Sequence, residues 1–351
     1  MSEIGGKQVR RTGVVLVQLG TPAAPKVSSV RAFLREFLMD ARVIDVPSLL
    51  RFFLVQCIIA PLRAPKSTKI YKELWEVGGG QSPIMTHTKA LTEALNAGLE
   101  GDNIHVHMAM RYQTPSIPTV LEEMRAQNYD KILVIPMYPQ YASSSSGTAL
   151  QKVMEVMSRW WVIPEVEMVN QFHEEDFYLD TLVDQARKHD IAAYDHVIMS
   201  YHGLPERHVD KVYLGADDLC ADHDCESKQD AENKFCYKAT SYETSRRLAH
   251  KLGLEPEQYT VSFQSRLNDR WLKPFSDAVI EDCGKKGMKR LLVFSPSFVA
   301  DCLETLIEVG VEYQEIFTEH GGDDVQLVAS CNVEPRWVEG LAGFIRARGA
   351  R

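Results

Sequence analysis

The chain has 351 residues, 45% apolar and 25% charged, the mix of a soluble globular protein long enough for about two domains. Its 39 basic and 48 acidic side chains leave a net charge of −9, and with no long Lys/Arg block there is no electrostatic footprint for nucleic acid. Seven cysteines, an odd number, argue against a secreted disulfide framework, and neither a signal-peptide core nor a window near the ~20 apolar residues of a bilayer span stands out, so a cytoplasmic protein is expected.

Eight short, β-branched, apolar segments read as buried parallel strands, near 13–19, 104–110, 131–137, 165–170, 195–201, 259–264, 290–295 and 326–331. Stretches of helical periodicity lie between most of them, as at 30–39, 86–99, 241–252 and 301–309. Strands alternating with helices predict an α/β fold with parallel sheets covered on both faces, four strands to each of two domains. Three matches in the same order point to a duplicated half. Val14-Val-Leu-Val-Gln-Leu-Gly-Thr-Pro22 matches Val197-Ile-Met-Ser-Tyr-His-Gly-Leu-Pro205, Lys131-Ile-Leu-Val-Ile-Pro matches Lys289-Arg-Leu-Leu-Val-Phe, and Met110-Arg-Tyr112 matches Ser265-Arg-Leu267. The boundary falls near 180, giving domains 1–180 and 181–324, with an insert at 212–236.

Ligands of open α/β sheets bind beyond the carboxyl ends of the strands. At those rims His202 is the sharpest candidate, a strand-end imidazole before Gly203 and Pro205 able to take a proton or ligate a metal; the bland alternative is a hydrogen-bonded structural histidine. Asp301, Glu304 and Glu308, spaced by 3 and 4, are expected on one face of a helix. Among Phe298, Val299, Leu303, Leu306 and Ile307 that face should be buried, which raises carboxyl pKa values and suits proton transfer or a hard cation. The loops at 143–147 and 78–83 are polar enough for an anion but match neither a P-loop nor a dinucleotide fingerprint. The run 49–62 (LLRFFLVQCIIAPL) is either a core helix or an exposed apolar lip for a membrane surface or a flat ligand. Cys220, Cys225 and Cys236 sit in a hydrophilic insert, where three thiols look more like metal ligands than packing. A fourth ligand would have to come from Asp222, His223, Asp224, Cys283, Cys302 or Cys331, and ordinary free thiols remain the alternative.

Taken together, Leu16-Val-Gln-Leu-Gly-Thr-Pro22, Arg111-Tyr112, Pro136-Met-Tyr-Pro-Gln-Tyr141, Ser200-Tyr-His-Gly-Leu-Pro205, Phe263-Gln-Ser-Arg266 and Asp301-Cys-Leu-Glu-Thr-Leu306 resemble the ferrochelatase family, in order from about 12 to 337. The resemblance implies two similar Rossmann-like domains with a porphyrin cleft between them, and a C-terminal segment, 325–351, packing back on the first. It implies insertion of Fe²⁺, as substrate, into protoporphyrin IX with release of two pyrrole protons, the last step of haem synthesis, with no cofactor required for the chemistry. By the same resemblance His202 and Glu304 are the essential pair, as proton acceptors or ligands of the incoming iron, and Asp301 and Glu308 extend the proton or metal path. Leu19, Arg63, Ser82, Arg111, Tyr112, Tyr138 and Trp271 would bind porphyrin, and the lip would approach the membrane. Some family members hold an iron–sulfur cluster through C-terminal cysteines and one internal cysteine, whose place Ser143 takes here. A smaller group holds a [2Fe–2S] cluster through four cysteines in an insert where Cys220, Cys225 and Cys236 lie. The rival readings are a chelatase for cobalt, nickel or coproporphyrin III, and a non-catalytic two-lobe binder of metal or tetrapyrrole.

Overall fold

A computed structural model describes residues 10–215 and 218–349. Eight strands form two four-stranded sheets: β1 (Thr12–Gln18), β2 (Ile104–Met110), β3 (Lys131–Pro136) and β4 (Glu165–Met168), then β5 (His196–His202), β6 (Tyr259–Gln264), β7 (Arg290–Phe294) and β8 (Asp324–Leu327). The strand orders are β2-β1-β3-β4 and β6-β5-β7-β8, and every pairing is parallel. The two halves thus share one topology, as the internal repeat predicts. Every residue of β1 and β3 is buried, which is why these segments read as unbroken apolar runs rather than alternating ones.

One hydrophobic cluster runs through both halves, from Leu16 and Leu133 of the first sheet, through helical residues such as Leu182, Leu248 and Trp337, to Met199, Tyr201 and Phe263 of the second. Separate clusters fill the outer face of each sheet. β8 starts two residues earlier than expected and stops at Leu327. Val328 N–H still reaches Val293 O (2.8 Å), but Ser330 and Asn332 then turn to Asp301, so the apolar residues Val328 and Cys331 are buried in a loop. After β8 the chain leaves the second sheet, and the C-terminal helix Pro335–Gly349 packs on the helix Pro83–Gly98 and on β3 of the first. Lys131, almost wholly buried, holds it there through Nζ–H to Arg348 O (2.6 Å) and Glu167 (2.7 Å).

The lip is a single helix from Ser48 to Val77, with an 18-residue window of mean hydropathy 1.3, long and apolar enough to cross a membrane by length and composition. This corrects the expectation that no such window exists, because Arg51 and Arg63 interrupt the apolar run without ending it. Val55, Ala60 and Ala64 are buried against Val30, Phe33 and Leu34 of the helix Val27–Leu38. Leu49, Leu50, Phe52, Phe53, Ile58 and Leu62 are exposed, Leu62 to 73%.

Candidate active site

Both halves end their first strand in the same way. Gly20 follows β1 with φ +106°, and a Cβ there would stand 1.9 Å from Tyr112 O. Gly203 follows β5, where a Cβ would stand 2.6 Å from Gln264 O. In each case the neighbouring strand's end lies against the glycine backbone, which only a residue without a side chain permits. The matched glycines of the repeat are therefore matched packing solutions, and each brings the next strand's polar terminus to the rim.

On the second half's rim, His202 is half-buried, with its ring against Phe298 (centroids 6.4 Å). Its backbone N–H donates to Ser297 Oγ (3.2 Å), and Ser297 is held in turn by Tyr237 (2.9 Å). Its Nδ1 lies 2.7 Å from Gly203 O. A carbonyl oxygen only accepts, so Nδ1 carries the proton and Nε2 keeps its lone pair. Trp271, expected among the porphyrin-binding residues, stands beside Gly203 and pairs with Pro205.

Glu304 and Glu308 project from a π-helix, Glu304–Tyr313. With i→i+5 bonds a turn takes about 4.4 residues, so a spacing of 4 keeps both carboxylates on one face. Asp301 departs from the expectation. It precedes the helix, its N–H donates to Asn332 Oδ1 (2.8 Å), and its carboxylate accepts from Ser330 N–H (3.1 Å) and Asn332 Nδ2 (2.7 Å). These bonds to the loop after β8 hold it off the helical face.

Glu308 accepts from Gln264 Nε2 (3.0 Å), Ser265 N–H (2.8 Å) and Ser265 Oγ (2.5 Å). Burial pushes its carboxyl pKa up and the neighbouring Glu304 charge adds to this, while Ser265, His202 and Gln264 oppose it. Ser265 aims both donors at Glu308 from a left-handed backbone, φ +61°, a conformation that a non-glycine residue holds only when its surroundings require it.

The first half supplies the facing wall. Arg111 pairs with Asp40 (2.5 Å) and donates through Nε to Thr148 (2.7 Å). Tyr112 OH (3.0 Å) and Thr148 also donate to Asp40. Burial works to raise the Asp40 pKa, but these donors and the Arg111 charge outweigh it and hold it below the ordinary 3.8. Tyr112 is fully buried against Phe33 and Phe37, so it braces this wall rather than lining open space. Tyr138 joins the walls: burial, Tyr112 and Glu304 push its phenol pKa well up, against the Arg111 charge, and its hydroxyl has no hydrogen-bond partner among the described residues. Tyr71 of the lip helix likewise feels Glu304 and Arg63.

Of the remaining expected residues, Arg63 is exposed on the lip helix. Ser82 is buried and donates to Thr21 Oγ1 (2.9 Å), tying the end of the lip to the β1 rim. Leu19 packs on the cluster beneath the lip. A cavity of about 570 Å³ opens between the halves, lined by Arg42, Tyr141 and Ser143 on one side and His208, Lys211 and Phe235 on the other. Asp40, Thr148 and Tyr71 carry no signal in the sequence, whereas Gln264, Ser265 and Ser297 stand at strand ends, Ser265 also in the internal repeat and, with Gln264, in the family stretch Phe263-Gln-Ser-Arg266.

The ferrochelatase family model matches residues 11–349. Proteins called ferrochelatase from Legionella pneumophila (strain Lens) and Coxiella burnetii (strain Dugway 5J108-111) are each 38% identical to this chain. The first match spans 95% of the chain and 98% of the relative, the second 96% and 93%. Among solved structures, SirB from Bacillus subtilis with Fe³⁺ aligns over 97% of this chain and 96% of its own, with a TM-score of 0.55 at 10% identity, a likeness of fold. These matches over nearly the whole chain show the kinship: the chain belongs to the ferrochelatase family, enzymes that insert iron into porphyrin in haem synthesis.

Proposed function

We propose that the porphyrin is protoporphyrin IX, that the metal is Fe²⁺, and that His202 Nε2 takes the pyrrole protons. The observation that carries this reading is the 2.7 Å contact of His202 Nδ1 with Gly203 O, which leaves Nε2 as an unblocked base at the rim. Glu308 lies close enough for the His202 charge to act on its carboxyl, lowering its pKa against the effect of burial. Glu308 holds protons more readily than an exposed carboxylate because it is buried. Beyond it Glu312 is also pushed up, by burial and then by the charges of Glu308, Glu315 and Glu73. The carboxylates thus form a ladder leading out of the cleft, and Glu304 at its inner end faces the site where metal and porphyrin meet. Arg111, braced by Asp40 and Thr148, makes the opposite wall stiff enough to hold the macrocycle bent, which exposes its nitrogen lone pairs. No resident cofactor enters these steps.

The exposed apolar lip supports contact with a membrane surface, from which an apolar porphyrin is taken up. Because Val55, Ala60 and Ala64 pack on the helix Val27–Leu38, the lip helix lies along the protein, as a peripheral contact requires. The free, buried thiols suit the reducing cytoplasm.

The test is an anaerobic assay with Fe²⁺ and protoporphyrin IX or coproporphyrin III, following the absorption change on metalation. Haem formation from protoporphyrin IX is expected. His202→Ala should lower turnover by about 100-fold or more, with porphyrin affinity, read by fluorescence quenching, within about threefold of the parent. Preference for coproporphyrin III, or a His202→Ala variant that still turns over, would sink the assignment.

A further inference from the structure

The three cysteines of the insert meet at one point. Cys220 Sγ lies 3.8 Å from Cys225 Sγ and 3.5 Å from Cys236 Sγ, and the Cys225–Cys236 separation is 3.7 Å. All three are free and buried. Two ligands of a tetrahedral ion are separated by about 1.6 times the bond length, so a Zn–S bond of about 2.3 Å implies about 3.7 Å between sulfurs. The observed separations bracket that value.

They do not fit a [2Fe–2S] cluster. Each iron there already holds two bridging sulfides and accepts two protein sulfurs, so a third thiolate belongs on the other iron, roughly 5 Å or more from at least one of the pair. The other four cysteines stand elsewhere. Cys57 is exposed on the lip, Cys283 lies in the outer core of the second sheet, Cys302 is beside Glu304, and Cys331 is beside Asp301. The nearby acidic and histidine candidates are engaged: His223 with Asp218 (2.7 Å), Asp222 with Leu219 N–H (2.9 Å), and Asp224 with Ser227.

The surroundings are built for thiolates. A thiol sulfur is a weak acceptor, yet Tyr213 OH (3.2 Å) and Asn233 Nδ2 (3.7 Å) both meet Cys225. Such donors around the ligands are what orients and neutralises a metal–thiolate centre.

We propose that Cys220, Cys225 and Cys236 form a mononuclear site for one tetrahedral, thiophilic divalent cation of the Zn²⁺ class, its fourth donor a water oxygen. Cys236 immediately precedes the helix Tyr237–Leu252, and Cys220 N–H is held by Asp210 (2.9 Å) of the short helix after Pro205. The ion therefore staples the insert to the frame of the second sheet.

The test uses the full chain, purified under reductant. Elemental and acid-labile sulfide analysis should find about one Zn²⁺ per chain at this site and no sulfide. Replacement with Co²⁺ should give tetrahedral d–d bands and a sulfur-to-cobalt charge-transfer band. Cobalt held by His202 and Glu304 would depend on His202, so a band from the insert should persist in His202→Ala and vanish in Cys225→Ser and Cys236→Ser. Iron with stoichiometric labile sulfide would overturn the proposal, as would a reduced parent chain that takes up Co²⁺ without the charge-transfer band. Neither result bears on chelation, which is assayed separately.

Discussion

Ser265 shows how much a single side chain contributes at this rim. It holds a left-handed backbone and gives two donors to Glu308, whose ionised form would otherwise be buried beside Glu304. Ser265→Ala keeps the strain and loses one donor. It should lower kcat by about tenfold and leave the porphyrin KM unchanged. Ser265→Gly loses the same donor but accepts the backbone, and should be more stable than Ser265→Ala by about 1 kcal/mol in urea unfolding. Equal stability of the two would mean that the backbone there is unstrained. Ser265 carried little signal in the sequence because serine is common and its φ is invisible. His202 was legible because an imidazole between an apolar strand and Gly-x-Pro is uncommon and has few structural reasons to be there.

Elements separated in sequence build the first half's wall, and their coupling has a pH signature. Asp40, after the helix Val27–Leu38, binds Arg111 beyond β2 and Thr148 at the start of another helix. Both charges are little exposed, 8% and 12% at the side chain. Asp40→Asn should therefore cost about 3 kcal/mol at pH 7, since Arg111 is left buried without its counter-charge. The Asp40 pKa is depressed on folding, so its contribution is present above the ordinary 3.8 and is lost as pH falls through the lower folded value. The gap between parent and variant, followed by denaturant titration, should close over that acidic range; a gap constant with pH would refute the ion-pair origin. The strands were readable because parallel sheets bury both faces and leave apolar runs. The Asp40–Arg111 contact was not, since nothing in either segment records a partner about 70 residues away. The helix carrying Glu304 and Glu308 was expected, but its π geometry was not, and the exclusion of Asp301 follows from tertiary contacts with Ser330 and Asn332 that periodicity does not contain.

At the scale of the molecule, one hydrophobic cluster runs through two halves of one topology, and the C-terminal helix crosses from one to the other. Trp337, Leu341 and Ile345 of that helix are essentially fully buried, each worth about 1.5–3 kcal/mol, which together approach the whole stability of an ordinary domain. A chain ended after Glu334 should lose cooperative unfolding of its first half, measured by circular dichroism; retention of a native transition would show the helix to be dispensable. The four-plus-four architecture was legible from the strand count and the repeat. The return of the helix was suggested by family resemblance alone, because its amphipathic pattern shows that it is buried without showing where.

That crossing also bears on how the protein is made. Thr12 Oγ1 in the first strand donates to Gly349 O, and Arg346 donates to Gly98 O and Asp102. A ribosome delivers the first half's strands long before these partners, so the flank of β3 and the helix Pro83–Gly98 stays uncovered until the last turns emerge from the exit tunnel. The first half is thus the earliest synthesised and the last completed, with its apolar flank uncovered for nearly the entire time of translation.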